Sequence, residues 1–121
     1  MPEHAHLLIQ PEVDVCPVSV ILRHLKGGLA NEILARWRKL QAPILARLVD
    51  GKGKCHFWLS GGGYDRNIVT SGEYFEKLKY IHENPVTRRI ATRPEDWPWS
   101  SARWFAGFRD AIDVPIDPFT P

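Results

Sequence analysis

The stretch HAHLLIQ, His4 to Gln10, decides how the rest of the chain is read. Side chains of an extended segment alternate between two faces. Ala5, Leu7 and Ile9 therefore fall on one side, and His4, His6 and Leu8 on the other. The pattern predicts a strand with one apolar face, ended by Pro11, which cannot donate to a central ladder. It also sets two imidazoles on one face, close enough to chelate one metal ion. Two polar residues on a half-exposed strand give the same pattern, and a bare His-x-His motif does not choose between them.

Working outward, Val18 to Leu25 has the spacing of a helix, with Val18, Ile21, Leu22 and Leu25 on one side. Gly27-Gly28 is expected to interrupt it. A second helix over Leu29 to Leu40 places Ile33, Leu34 and Trp37 together. Pro43 and the loop Gly51 to Lys54 break that pattern. Cys55 to Leu59 is short, aromatic and strand-like. Gly61-Gly62-Gly63 calls for an unusual backbone path. Ser71 is the expected N-cap of a helix that runs to Asn84 and stops at Pro85, because the residue before proline avoids the helical region. Trp97, Trp99 and Trp104 are expected to pack a turn and a short helix. The residues from 114 to 121 form a loose, proline-rich tail.

On the 72–84 helix, at about 100° per residue, Tyr74, Phe75, Leu78 and Ile81 make one apolar stripe with His82 on its flank. Tyr80 falls on the opposite face, and Asn84, one turn on, is its neighbour. His82 is about 160° away from Tyr80 and so is poorly placed as its base. An incidental surface tyrosine fits this pattern as well. Taken with the histidines, however, the pieces suit one reaction. A metal on His4 and His6, with Asn84 as a third ligand, can polarise a phosphodiester oxygen. Tyr80 can attack phosphorus and store the diester energy in a covalent link.

The composition fits one small domain of 121 residues, with 44% hydrophobic and 25% charged residues. There is no apolar run long enough for a bilayer and no secretory signal pattern, so a cytoplasmic protein without a membrane partner is expected. Cys16 and Cys55 lie far apart and read as free thiols. The net charge is only +2, but basic residues gather in the middle of the chain. Arg23, Lys26, Lys54, Arg66, Arg88 and Arg89 are the candidate DNA contacts. A solvated helix surface would have the same composition. Trp58, Trp97 and Trp99 are candidates for stacking on bases or for the core. Asp65 and Arg66 are expected to pair and order the glycine-rich bend.

Five blocks together resemble the REP-associated tyrosine transposases, a group of single-tyrosine HUH enzymes. They are MPEHAHLLI at Met1–Ile9, LKG at Leu25–Gly27, FWLSGGGYDRNI at Phe57–Ile68, YIHENPV at Tyr80–Val86 and PEDWPWSSARW at Pro94–Trp104. They occur in the family's order over nearly the whole chain. The resemblance implies an α+β, ferredoxin-like fold. It implies that His4, His6 and Asn84 hold Mg²⁺ or Mn²⁺ and that Tyr80 is the nucleophile. The expected activity is nicking and rejoining of single-stranded DNA near hairpins, through a 5′-phosphotyrosine and without ATP.

Three departures accompany the likeness. The chain begins at the turn before the HUH strand, so the first strand–helix–strand portion of the fold is expected to be missing, either through a misplaced start or because this is a gene fragment. A lone strand would then carry an unpaired edge, which a homodimer could cover. Leu59 stands where relatives often have glutamine, and Thr87-Arg88-Arg89 differs from the usual lysine or arginine followed by a small residue. Two other readings compete with the transposase: a nucleic-acid-binding remnant or domesticated relative without catalysis, and a small metal-dependent hydrolase in which Tyr80 would be dispensable.

Overall fold

The computed structural model describes residues 3–12, 14–59, 63–109 and 116–117. The tail expected over 114–121 and the first two glycines of the 61–63 bend therefore lie largely outside the described residues. The elements in order are α1 (Val18–Lys39), α2 (Leu45–Leu48), α3 (Ser71–Thr87), a 3₁₀ turn (Pro94–Asp96) and α4 (Ala102–Phe105). Their packing divides the chain into two units. One comprises Met1–Leu8 with Asp65–Pro121, the other Ile9–Tyr64.

The α+β, ferredoxin-like expectation is overturned. Among the described residues there is no strand and no sheet, only a single antiparallel bridge between Val49 and Cys55. The physical reason lies in the ladder. A strand exists only where backbone N–H and C=O groups pair with a neighbour, and no ladder forms along His4–Gln10. Period-two alternation survives there, but inverted. His4, His6 and Leu8 are the half-buried side, while Ala5, Leu7 and Ile9 face outward, Leu7 being 55% exposed. The strand expected over Cys55–Leu59 reduces to the bridge at Cys55.

In the Ile9–Tyr64 unit, α1 is one continuous helix of 22 residues and runs through Gly27-Gly28. Each glycine costs about 1 kcal/mol in a helix interior, too little to stop a helix with two good turns on either side. The expected Ile33, Leu34 and Trp37 face is the packed one, with Leu34 only 6% exposed. Trp37 meets Phe57 at 5.7 Å, and the Trp58 indole N–H donates to the Lys26 carbonyl at 2.8 Å. The helix ends with Gln41 at φ 50°. There Gln41 N–H bonds the Arg38 carbonyl and Ala42 N–H the Trp37 carbonyl, the pairing of a Schellman close. The lysine-rich loop is ordered by Asp50, whose carboxylate accepts from the backbone N–H of Lys52 and of Lys54, each at 2.9 Å.

In the other unit, α3 begins one residue earlier than expected. Thr70, in extended backbone, is the cap and accepts from Glu73 N–H at 3.2 Å. The Glu73 carboxylate returns to Val69 N–H at 3.0 Å and pairs with Arg66 at 2.8 Å. These contacts pull the Glu73 carboxyl below its usual value, the Val69 N–H contributing most. The Asp65–Arg66 pair is thus replaced by Arg66–Glu73.

The helix also continues past its expected end. Pro85 lies inside it and is buried. A proline forfeits one amide hydrogen bond, and in the last turn little else depends on that bond. Arg89 at φ 59° closes the helix, its N–H bonding the Val86 carbonyl while Ile90 N–H bonds that of Pro85. The 3₁₀ turn packs between α3 and α4.

Because the cap is Thr70 and not Ser71, Thr70→Ala should lower unfolding stability by about 1 kcal/mol, while Ser71→Ala should leave it within a few tenths. Urea unfolding followed by helical circular dichroism separates the two, and equal losses would return the cap to Ser71.

Candidate functional site

The Tyr80 face of α3 is a stripe at helical spacing: Tyr80, Asn84, Thr87 and Arg88. Tyr80 is displayed on it, 54% exposed, as the wheel predicts. The N-terminal segment lies along this stripe within the same unit. The His6 ring stands edge-on to the Tyr80 ring, with centroids 5.6 Å apart. His4 and His6 approach through their Nε2 atoms at 3.0 Å, so one imidazole donates to the other. A cleft of about 270 Å³ is lined by His4, Tyr80, Glu83, Asn84, Thr87 and Arg88. The buried Oδ1 of Asn84 has no hydrogen-bond partner.

Electrostatics favour the ligand form of the imidazole at His6. Burial pushes its pKa below the ordinary histidine value, and the charges of His4 and Arg88 act in the same direction. A neutral ring keeps one nitrogen lone pair available at neutral pH. Glu3 lies beside the pair. Its carboxylate is 3.5 Å from His4 Nδ1 and forms an ion pair with Arg88. Hydrogen bonding from its backbone, together with Arg88 and His4, lowers the Glu3 pKa.

Tyr80 and Asn84, more than seventy positions from His4 and His6 in sequence, thus meet them in one place. The six candidate DNA contacts are divided between the two units. Arg23, Lys26 and Lys54 belong to the Ile9–Tyr64 unit, and Arg66, Arg88 and Arg89 to the other. Arg66 is engaged by Glu73 and Arg88 by Glu3. Lys26 extends over the Trp58 ring at 5.9 Å, while Arg23, Lys54 and Arg89 are exposed. Among the tryptophans, Trp99 is exposed, whereas Trp58 and Trp97 are half-buried.

Glu3, Glu83 and Thr87 escape the sequence reading, and Arg88 enters it only as a candidate DNA contact. Tyr80, Asn84 and Arg88 are spaced four apart, and that signal was present once the helix is allowed through Pro85. Glu3 is signalled only by its place beside His4. Among the described residues, no cluster of three or more His, Cys, Asp or Glu side chains is arranged to hold a metal. A cation at this site would depend on the two histidines and the Asn84 amide oxygen.

His82 turns the other way, as its position on the wheel requires. Its Nε2 bonds Ser101 Oγ at 3.0 Å, and its ring meets Phe105 at 5.3 Å. It lines a separate groove with Phe75, Leu78, Pro94, Glu95 and Ala102. No family model, curated protein or solved structure matches the chain, and no described helix is long and apolar enough to cross a membrane.

Burial lowers the His82 pKa, against the weaker opposite pull of the Glu95 carboxylate. The unfolded chain then binds this proton more readily than the folded one. The penalty is absent above the ordinary histidine value of about 6.5 and grows as pH falls below it. His82→Gln retains a partner for Ser101 and removes the titration. Its urea midpoint should fall less than that of the native chain between about pH 7.5 and about pH 5.5. Equal falls would assign the effect to other groups.

Proposed function

We propose that this chain nicks and rejoins single-stranded DNA by transesterification through Tyr80, with hairpin-bearing strands as substrate, in the cytoplasm. The observation that carries the reading is the meeting of the His6 and Tyr80 rings beside His4, at a cleft that Asn84 also lines. A displayed tyrosine alone is a surface residue. A displayed tyrosine against two converging imidazoles and a partnerless amide oxygen is a candidate nucleophile at a candidate cation site.

His4, His6 and Asn84 are the residues that would hold a divalent cation, Mg²⁺ or Mn²⁺. Their fit rests on two observations. The Nε2 atoms are 3.0 Å apart, about the separation of two adjacent ligands each ~2.1 Å from an octahedral ion. The buried Asn84 Oδ1 is a hard oxygen lacking any other partner. Two imidazoles suit Mn²⁺ better than Mg²⁺, and phosphate and water would complete the set. When bound, the cation supplies positive charge to a phosphoryl oxygen as phosphorus is attacked.

The protein's own groups account for the remainder. Tyr80 Oη bonds to phosphorus, and the bond from phosphorus to the 3′ oxygen breaks. The phenol proton leaves to a base, and the departing 3′ oxygen becomes a hydroxyl by taking a proton from that base or from water. Glu83 is the carboxylate in the lining of the cleft and can accept that proton. One diester replaces another, so attack by a 3′-hydroxyl on the phosphotyrosine reverses the step without an energy source. His82, facing Ser101, takes no part.

A nucleic-acid-binding protein without catalysis is the second reading, favoured by the exposed Arg23, Lys54 and Arg89. Hairpin single-stranded DNA with Mn²⁺ should give a denaturation-resistant protein–DNA adduct. The adduct should disappear in Tyr80→Phe and on chelation, and return when Mn²⁺ is restored. His4→Ala and His6→Ala should each reduce it by about two orders of magnitude or more, the scale of losing positioned charge in the transition state. DNA retained by every variant, with no adduct from the native chain, would leave the binding reading.

A further inference from the structure

We propose that Glu3 and Arg88 are positioning residues for the His4 ligand atom. This rests on the reading of His4 and His6 as a cation site. The two side chains form an ion pair that joins the N-terminal segment to the residue capping α3. Each is about half exposed, and an exposed pair contributes little to global stability. Its consequence is local. It holds the segment against the Tyr80–Asn84–Arg88 stripe, with the histidines beside the tyrosine.

Glu3 has a second contact, and this one bears on chemistry. The oxygen that meets Arg88 is also 3.5 Å from His4 Nδ1. A carboxylate on that side favours the tautomer with the proton on Nδ1, which puts the lone pair on Nε2, where it accepts from His6 Nε2–H in the metal-free chain. Nε2 is the atom that faces His6. Metal-binding histidines are commonly oriented by a carboxylate on their other nitrogen, and removing it typically lowers metal affinity about 10–100-fold. Arg88 anchors Glu3 in that role. The arrangement is a relay of Arg88, Glu3 and His4, and the arginine is engaged in it instead of being free for a DNA phosphate.

The test begins with metal-free protein. Imidazole ¹⁵N shifts, assigned with His4→Gln, should show His4 protonated on Nδ1 in the native chain. Glu3→Ala should move the population toward the Nε2–H form. Mn²⁺ affinity, read from the electron paramagnetic resonance signal of the free ion, should fall about 10–100-fold in Glu3→Ala. Arg88→Ala should lower it in the same direction, and Arg88→Lys should recover most of the loss. The exchange Glu3→Arg with Arg88→Glu keeps an ion pair but puts a cation beside His4. It should fold as the native chain does and still bind Mn²⁺ weakly. Metal-free affinity for single-stranded DNA should change little in any of these.

The proposal is overturned if the native chain binds Mn²⁺ and the variants leave both the tautomer and the affinity unchanged. It is equally overturned if Arg88→Ala weakens DNA binding and flattens its salt dependence without touching Mn²⁺. A native chain that binds no Mn²⁺ would sink the cation site itself, and this inference with it.

Discussion

Proline at position 85 removes one amide from the last turn of α3, yet the helix closes a full turn later, on Arg88 and Arg89. The candidate site depends on that extra turn. It extends the stripe begun by Tyr80 and Asn84 as far as Arg88, which reaches Glu3 and with it the segment bearing both histidines. Near a C-terminus the missing hydrogen bond costs little. Two backbone bonds to the Val86 and Pro85 carbonyls close the turn.

The same helix separates two sets of chemistry by its own geometry. Tyr80 and His82 are two positions apart in sequence and lie on nearly opposite faces. One looks into the cleft with His4 and Asn84, the other into the groove with Glu95 and Phe105, where it bonds Ser101. His82 is consequently a packing residue that ties α3 to the residue preceding α4, and its depressed pKa has burial as its cause. Proximity in sequence would have made it an attractive base. The wheel and the hydrogen bond to Ser101 both argue against that.

Burial elsewhere is shallow. Leu34, Ala102 and Pro85 are the buried apolar residues among those described, and Leu7 and Ile9 turn outward along the segment that alternation marks as a strand. An extended backbone with an outward apolar face has the side-chain pattern of a strand without its ladder. That is why the alternation along His4–Gln10 is present while the strand it predicts, and the α+β fold that the resemblance implies, are not. Periodicity reports which side chains share a face. It carries no information about whether a second backbone lies alongside.

Much of the local structure was legible in the residues themselves. The helical stripe around Ile33, Leu34 and Trp37, the display of Tyr80, the aversion of His82 and the placing of Asn84 on the face of Tyr80 all follow from 3.6-residue geometry. Where the reading failed, competing local terms were close in energy. Gly27-Gly28 weakens a helix without ending it, Pro85 is tolerated in a final turn, and Thr70 and Ser71 are near-equal caps. The long-range facts could not be read from any local pattern. Arg66 turns to Glu73 instead of Asp65, the histidine face packs inward, and Glu3 links His4 to Arg88. Sequence alone determined which side chains each helix presents, because that depends on backbone geometry within a turn or two. Only tertiary structure decided which of them meet, because an ion pair or a ladder is formed by groups distant in the chain.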